Sequence, residues 1–211
     1  MKSPRTSRLV AVVGGSGAGK SWLSDHLQNA MGNSVGRLSL DQFYRDRSDL
    51  TPAQREKVNF DHPRAIDWPL VAKTLKTCRM GRAFCVPRYD FVTHSRLPGR
   101  ESCKPKPLVI VEGLWLLLRP RVRSLFALRI FIDCPLRVRL ARRLARDAVE
   151  RGRSRESVRK QFWETVAPMH ERYVAPQVRW AHVILESPPD PGRVRQLIDS
   201  LKALINSTGG I

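Results

Sequence analysis

The feature that constrains this chain most is an apolar run that ends on glycines. Leu9–Val13 (LVAVV) leads straight into Gly14-Gly15-Ser16-Gly17-Ala18-Gly19-Lys20-Ser21. Five aliphatic residues without alternation read as a strand buried on both faces, which belongs in a parallel sheet covered by helices. Beyond the glycines, Leu23, Leu27 and Ala30 recur at helical spacing and predict a helix over about Lys20–Met31. The intervening residues fit G-x-x-x-x-G-K-[ST] in full, between a strand and a helix, the context that separates this motif from a chance glycine turn. Glycines let backbone N–H groups turn inward around an anion without Cβ clashes. The helix then starts at that anion with the positive end of its dipole. In such a loop Lys20 reaches the β- and γ-phosphates of a nucleotide, and the Ser21 hydroxyl ligates Mg²⁺.

The rest of the chain repeats the alternation of short aliphatic runs with amphipathic stretches. Val35–Leu40, Leu108–Val111, Leu128–Ile132 and His182–Leu185 read as further strands. Leu136, Leu140, Leu144 and Ala148 mark one helix. Val158, Phe162, Val166, Met169 and Tyr173 mark another that Pro168 should kink, and a last helix spans about Gly192–Ile205. The pattern predicts an α/β fold in three layers, a P-loop NTPase with a five-stranded parallel sheet of the nucleoside-monophosphate-kinase type. We expect residues 1–211 to form one domain. Residues 83–107 fit neither period and are expected to project as a small β-hairpin or extended loop that shapes an acceptor pocket. Residues 143–161 are expected to act as an Arg-rich lid.

Bulk properties set limits. The longest apolar stretches are far too short to cross a bilayer, and the basic amino terminus has no apolar core or cleavage site, so a cytoplasmic address is expected. Cys78, Cys85, Cys103 and Cys134 form no C-x-x-C pair and no metal-ligand spacing, and are read as reduced thiols. The net charge of +19 suits either a nucleic-acid binder or an enzyme with polyphosphate ligands. Arginine is spread along the whole chain without a basic tail, so composition does not choose between them.

A P-loop also needs an acidic group near the metal, at the end of a neighbouring strand. Glu112 closes the LVIVE strand, where a carboxylate after four buried aliphatics is costly unless a cation or hydrogen bonds meet it. It is the candidate metal-site carboxylate, an ordinary strand-end acid being the alternative. Asp41 follows the second strand and should stand at the carboxyl edge of the sheet, beside the phosphates. A kinase needs a carboxylate there to accept the proton of the attacking hydroxyl. Capping of the next segment is its other possible role.

Several segments resemble the uridine (uridine–cytidine) kinase family: Leu40-Asp41-Gln42-Phe43-Tyr44-Arg45, Asn59-Phe60-Asp61-His62-Pro63, Pro87-Arg88-Tyr89-Asp90-Phe91-Val92-Thr93-His94-Ser95-Arg96 and Glu112-Gly113. Arg139–Asp147, running on to Glu150-Arg151-Gly152-Arg153, is similar to that family's lid. The likeness runs in order from about residue 9 to residue 185. It implies transfer of the γ-phosphate of ATP or GTP, with Mg²⁺, to the 5′-hydroxyl of uridine or cytidine, and a homo-oligomer, a tetramer by the same resemblance. Asp41 is then the base, with Lys20 and Arg146 as the other catalytic groups. Gly14 to Ser21 and Arg151 hold the nucleotide, and Ser21 and Glu112 the metal. Tyr44, Phe60, Asp61, Tyr89, Phe91, His94, Arg143, Arg153 and Gln161 line the nucleoside site. Aromatic faces stack a pyrimidine while Tyr and His offer directional bonds to its edge.

Arg139, Arg142, Arg143 and Arg146 recur at i, i+3, i+4 and i+7, along one helical face beside the leucine stripe. Four unpaired guanidinium groups repel, so a polyanion nearby would relieve them. For Arg139 and Arg142 a solvated basic face is the alternative. Trp22, bulky and immediately after the P-loop serine, and the high positive charge depart from the family pattern. The charge keeps two rivals in view: a related kinase with a sugar phosphate or another riboside as acceptor, and a nucleic-acid-associated NTP-binding protein, for which no stacking platform or recognition helix is visible. No membrane partner is expected.

Overall fold

The computed structural model describes residues 6–56, 58–150 and 154–206. In chain order the elements are β1 (Arg8–Gly14), α1 (Lys20–Met31), β2 (Val35–Ser39), α2 (Pro52–Glu56), α3 (Trp68–Arg79), β3 (Phe84–Asp90), β4 (Ser95–Cys103), β5 (Leu108–Gly113), α4 (Pro120–Arg123), β6 (Leu128–Asp133), α5 (Leu136–Glu150), α6 (Arg155–Gln161), α7 (Ala167–Met169), β7 (Val183–Glu186) and α8 (Pro191–Asn206). Five strands form one sheet in the order β2-β5-β1-β6-β7, with every pairing parallel. The expected fold class is the one observed.

Alternate residues of the central strand supply two cores. Leu9, Ala11 and Val13 face one side with Val109, Val111, Phe43, Leu75 and Trp115. Val10 and Val12 face the other with Ile110, Ile130, Leu23, Leu27, Val194 and Leu201. Both faces of β1 are therefore covered, which is why its sequence is continuously apolar rather than alternating. No helix among the described residues is long and apolar enough to cross a membrane.

Register brings three strand ends to one edge. Val12 pairs with Glu112, and Ser39 pairs with Glu112 from the opposite side. Gly14, Glu112 and the turn after Ser39 thus converge where β1, β5 and β2 finish. That turn, Leu40–Phe43, is closed by a capping box in which Ser39 accepts from the Asp41 amide and Gln42 accepts from the Ser39 amide. Ser39, and not Asp41, caps the segment. Leu40 passes over Gly113 so closely that a β-carbon there would stand 2.4 Å from the Leu40 β-carbon.

Of the two forms expected for residues 83–107, the structure has the β-hairpin. Residues 84–103 form a two-stranded antiparallel hairpin with an irregular register at Pro87, where a ladder donor is missing. Its second strand, SRLPGRESC, is exposed over most of its length, so it carries no apolar alternation for a pattern to reveal. Around Pro168, where the sequence predicts a kink, the helical path runs on through irregular turns. Wide turns at Phe162–Val166 and His170–Val174 flank α7. Such widened turns absorb the hydrogen bond that proline cannot make.

The contact at Gly113 is testable. Gly113→Ala must push Leu40 and the following Asp41 outward, and overpacking of this kind costs about 1–3 kcal/mol. Urea denaturation should show that loss, and native stability in the variant would mean that Leu40 retreats without cost.

Candidate functional site

The phosphate loop is built as its glycines require. Gly17 and Gly19 have φ of 79° and 96°, a region that L side chains rarely adopt. At Gly15 the need is space, since a β-carbon would lie 2.8 Å from both Arg139 Cδ and His170 Nδ1. Lys20 donates to the Gly15 carbonyl at 3.0 Å. Burial lowers the Lys20 pKa, while the fields of Asp41 and Glu112 raise it and those of Arg146 and Arg139 lower it. Asp41 and Glu112 are therefore the two carboxylates whose fields oppose the desolvation of this buried ammonium.

Ser21 donates to Glu112 Oε2 at 2.8 Å. A hydroxyl and a carboxylate, both hard oxygen donors, meet beside the loop, as Mg²⁺ chemistry requires. The described residues contain no cluster of three or more His, Cys, Asp or Glu able to hold a metal. The pair thus fits an ion that takes its remaining ligands from phosphates and water. The other oxygen of Glu112 meets Arg37, whose Nε donates to Oε1 at 3.1 Å and whose Nη2 bonds the same atom, while Nη1 bonds Asp25.

The arginines of α5 correct the sequence expectation of four unpaired cations on one face. Arg139 is 2% exposed and Arg143 5%, because α5 packs that face onto the phosphate loop. Arg139 Nε donates to the Cys134 carbonyl at 3.1 Å. Arg142 reaches Ser187 Oγ at 2.8 Å and the Gly17 carbonyl at 3.3 Å. Arg143 donates to Ser16 Oγ at 3.1 Å and to Gln161 Oε1 at 2.9 Å. Asp147, fully buried, pairs with Arg143 at 3.3 Å and with Arg146 at 2.8 Å. Arg151 and Arg153 lie outside the described residues.

Sequence reasoning gave no role to Asp147, which it placed in the Arg139–Asp147 segment, and did not reach Arg37 or His170. Asp147 follows Arg143 by four residues, a spacing that marks a helical ion pair, and this was the available signal. Nothing local points to Arg37 or His170, whose partners are distant in sequence. His170 is squeezed against Gly15, and burial together with Arg139 and Lys20 pushes its pKa down to about 4.

Beyond Asp41 an aromatic cluster joins the loop after β2 to the hairpin. Tyr44 packs on Tyr89 at 5.3 Å and on Phe60 at 5.8 Å, and Phe91 meets Tyr89 edge-on at 5.2 Å. Phe60 and His94 lie face to face at 4.2 Å, too close for a ring to enter between them. His94 holds φ of 53°, a positive value for a residue other than glycine. The Tyr44 hydroxyl donates to the Phe60 carbonyl at 3.1 Å. The Tyr89 hydroxyl is buried without a hydrogen-bond partner among the described residues, and burial raises its pKa to about 12. Asp61 stands in a turn closed by Asn59, whose side chain accepts from the Asp61 amide at 3.0 Å, and His62 caps the next turn. Arg96 fastens the hairpin by donating to the Tyr44 carbonyl at 3.0 Å and to Asp67 at 3.2 Å. His62 shares a 2.9 Å hydrogen bond with the Tyr173 hydroxyl, linking this loop to the second wide turn.

On the other side of the phosphate loop lies a cavity of about 720 Å³ walled by Gly19, Trp22, His26, Arg142, Pro188 and Val194. Trp22 stacks on His26 at 5.3 Å and is half exposed.

This fold and site define a P-loop kinase: a phosphate loop with its lysine, a serine–carboxylate pair, an acid at the sheet edge and an arginine-bearing helix above. Solved structures share the fold. They include phosphoribulokinase from Rhodobacter spheroides (TM-score 0.65, 14% identity, 86% of this chain and 70% of that one). Another is D-glycerate 3-kinase from Cryptococcus neoformans (TM-score 0.62, 20% identity, 88% of each chain). The sequence matches the Phosphoribulokinase / Uridine kinase family over residues 9–192, and the chain belongs to that family. It is 38% identical over 200 residues to the uridine kinase of Staphylococcus carnosus, covering 94% of this chain and 95% of that protein. It is equally similar to the uridine kinase of Brevibacillus brevis, covering 94% and 92%.

Two outcomes follow from the buried groups. Tyr89→Phe removes a hydroxyl that has no partner, so the free protein should be as stable or about 1 kcal/mol more stable in urea. A marked loss would mean that the hydroxyl is bonded in the native state. His170 must stay neutral in the fold, whereas in the unfolded chain it binds a proton near pH 6.5. Stability should therefore fall as pH drops from about 6.5 toward 4. His170→Gln should flatten that part of the pH–stability curve, and an unchanged slope would assign the pH dependence elsewhere.

Proposed function

We propose that this chain is a uridine kinase that transfers the γ-phosphoryl group of ATP or GTP to the 5′-hydroxyl of uridine or cytidine. The observation that carries the reading is the placement of Asp41. It follows β2 where Ser39 pairs with Glu112, its field reaches Lys20, and Tyr44, three residues on, opens the aromatic cluster with Phe60, Tyr89, Phe91 and His94. The names of the similar curated proteins support the same reading.

In this mechanism the phosphate loop and Lys20 hold the β- and γ-phosphates. Ser21 and Glu112 would hold Mg²⁺, which when bound supplies positive charge to the phosphate oxygens. Asp41 accepts the proton of the ribose 5′-hydroxyl as its oxygen approaches the γ-phosphorus. Arg143 and Arg146, held by Asp147, place fixed positive charge over the transferring group and exclude water. The Tyr89 hydroxyl, stranded in the free protein, finds its partner on the edge of the base. A ligand without that group would leave the hydroxyl buried and unpaired, which is how such a site discriminates. Because Phe60 and His94 touch, the base stacks on the outer face of this pair. Asp61 binds the ribose hydroxyls. The cavity beside Gly19 and Trp22 receives the donor's base.

The test is an acceptor panel with radiolabelled γ-phosphate: uridine, cytidine, other ribosides, sugar phosphates and glycerate. Turnover should be confined to pyrimidine ribosides, and turnover with sugar phosphates alone would replace this reading with another acceptor. Asp41→Asn should cut turnover by ~10²-fold or more, the usual scale of general-base catalysis, with donor affinity nearly unchanged. Near-normal turnover would remove Asp41 from the role of base.

A further inference from the structure

Arg37 belongs to no motif, yet it engages the carboxylate that the proposed function assigns to the metal. It lies on β2, the edge strand, paired with Ile110 of β5 and two residues before Ser39, which pairs with Glu112. This register points Arg37 toward the α1 layer. There it bonds Glu112 Oε1 through Nε and Nη2, and Asp25 through Nη1. The Glu112 side chain is 7% exposed and that of Arg37 27%. Ser21 takes Oε2 of the same carboxylate, and Lys20 feels its field. Glu112 is thus already met by two cations and a hydroxyl donor.

A divalent ion needs a carboxylate whose charge is available. A guanidinium on one of its oxygens lowers the negative potential at the adjoining position, and in a mostly buried site that effect is little screened by solvent. Arg37 is also not required to keep the fold neutral, since the chain carries a net charge of +19. Its second anchor, Asp25, lies one helical turn beyond Ser21, so the guanidinium is held beside the metal-site residues from both sides. We propose that Arg37 is the resident counter-cation of Glu112 and competes with the divalent ion, so that the ion is held firmly only when nucleotide phosphates share it. Arg37 is a positioning residue that acts through Glu112, and the proposal rests on the reading of Glu112 as a metal-site carboxylate.

The experiment is a Mn²⁺ titration of the intact protein with saturating ADP, followed by electron paramagnetic resonance of the free ion, so the readout is binding rather than turnover. Arg37→Gln removes the charge and keeps a donor for Glu112. It should tighten Mn²⁺ by at least about threefold, the direction that loss of one nearby positive charge dictates. Arg37→Lys keeps the charge and should stay within about twofold of the native value. Arg37→Met gives the same neutral test should the glutamine variant not fold, as judged by thermal unfolding without metal. Equal or weaker binding in the neutral variants overturns the proposal, because a residue that merely orients Glu112 would loosen the ion when removed. Glu112→Gln separates the two layers of the argument. If it binds Mn²⁺ as the native protein does, the metal assignment itself fails. If it binds weakly while the neutral Arg37 variants do not tighten, only the role of Arg37 falls.

Discussion

The architecture of the site depends on one buried cation. Lys20 enters a place where desolvation works against its charge, and two carboxylates, Glu112 on β5 and Asp41 in the turn after β2, oppose that cost. This arrangement exists only because the sheet is parallel and its strands end together. Val12, Glu112 and Ser39 lie side by side in the ladder, and Asp41 follows two residues later. A slip of one residue in either pairing would turn the Glu112 side chain to the other face of the sheet.

Close backbone approach is the second constraint. Gly113 lets Leu40 cross the end of β5, and Gly15 lets Arg139 and His170 press on the phosphate loop. At both points the chain has no β-carbon because another segment occupies its volume. The buried Gln177 holds the neighbouring loop by donating to the Leu114 carbonyl at 2.7 Å and accepting from the Leu117 amide at 2.9 Å. The chain leaving Gly113 is thereby tied to the segment that carries Gln177.

The cationic helix α5 shows how charge and packing combine. A sequence of many arginines suggests a solvated surface, yet two of the four in the repeat are buried and the others are bonded to protein atoms. Asp147 makes this affordable by pairing with Arg143 and Arg146 inside the protein. Burying paired charges holds their geometry, and breaking such a pair is far costlier than never having had it. Arg143 and Arg146 of α5 are therefore held in place by protein groups.

The strands of the sheet, the phosphate loop and the helices were legible because their signals are local: unbroken aliphatic runs, glycines at fixed offsets, apolar residues at helical spacing. The hairpin was only suspected, because its second strand is solvated and has no apolar face. The site was partly legible, since Lys20, Ser21, Asp41 and Glu112 each follow a strand or a loop that the sequence marks. The order of elements and the chemistry carried at their ends can be read from the chain alone, since both depend on neighbours a few residues apart. Tertiary packing alone brings Arg37 to Glu112, sets Asp147 between Arg143 and Arg146, and leaves the Tyr89 hydroxyl without a partner among the described residues. Pairings between segments, and burial above all, are set by how the strands register and pack, and no local pattern records them.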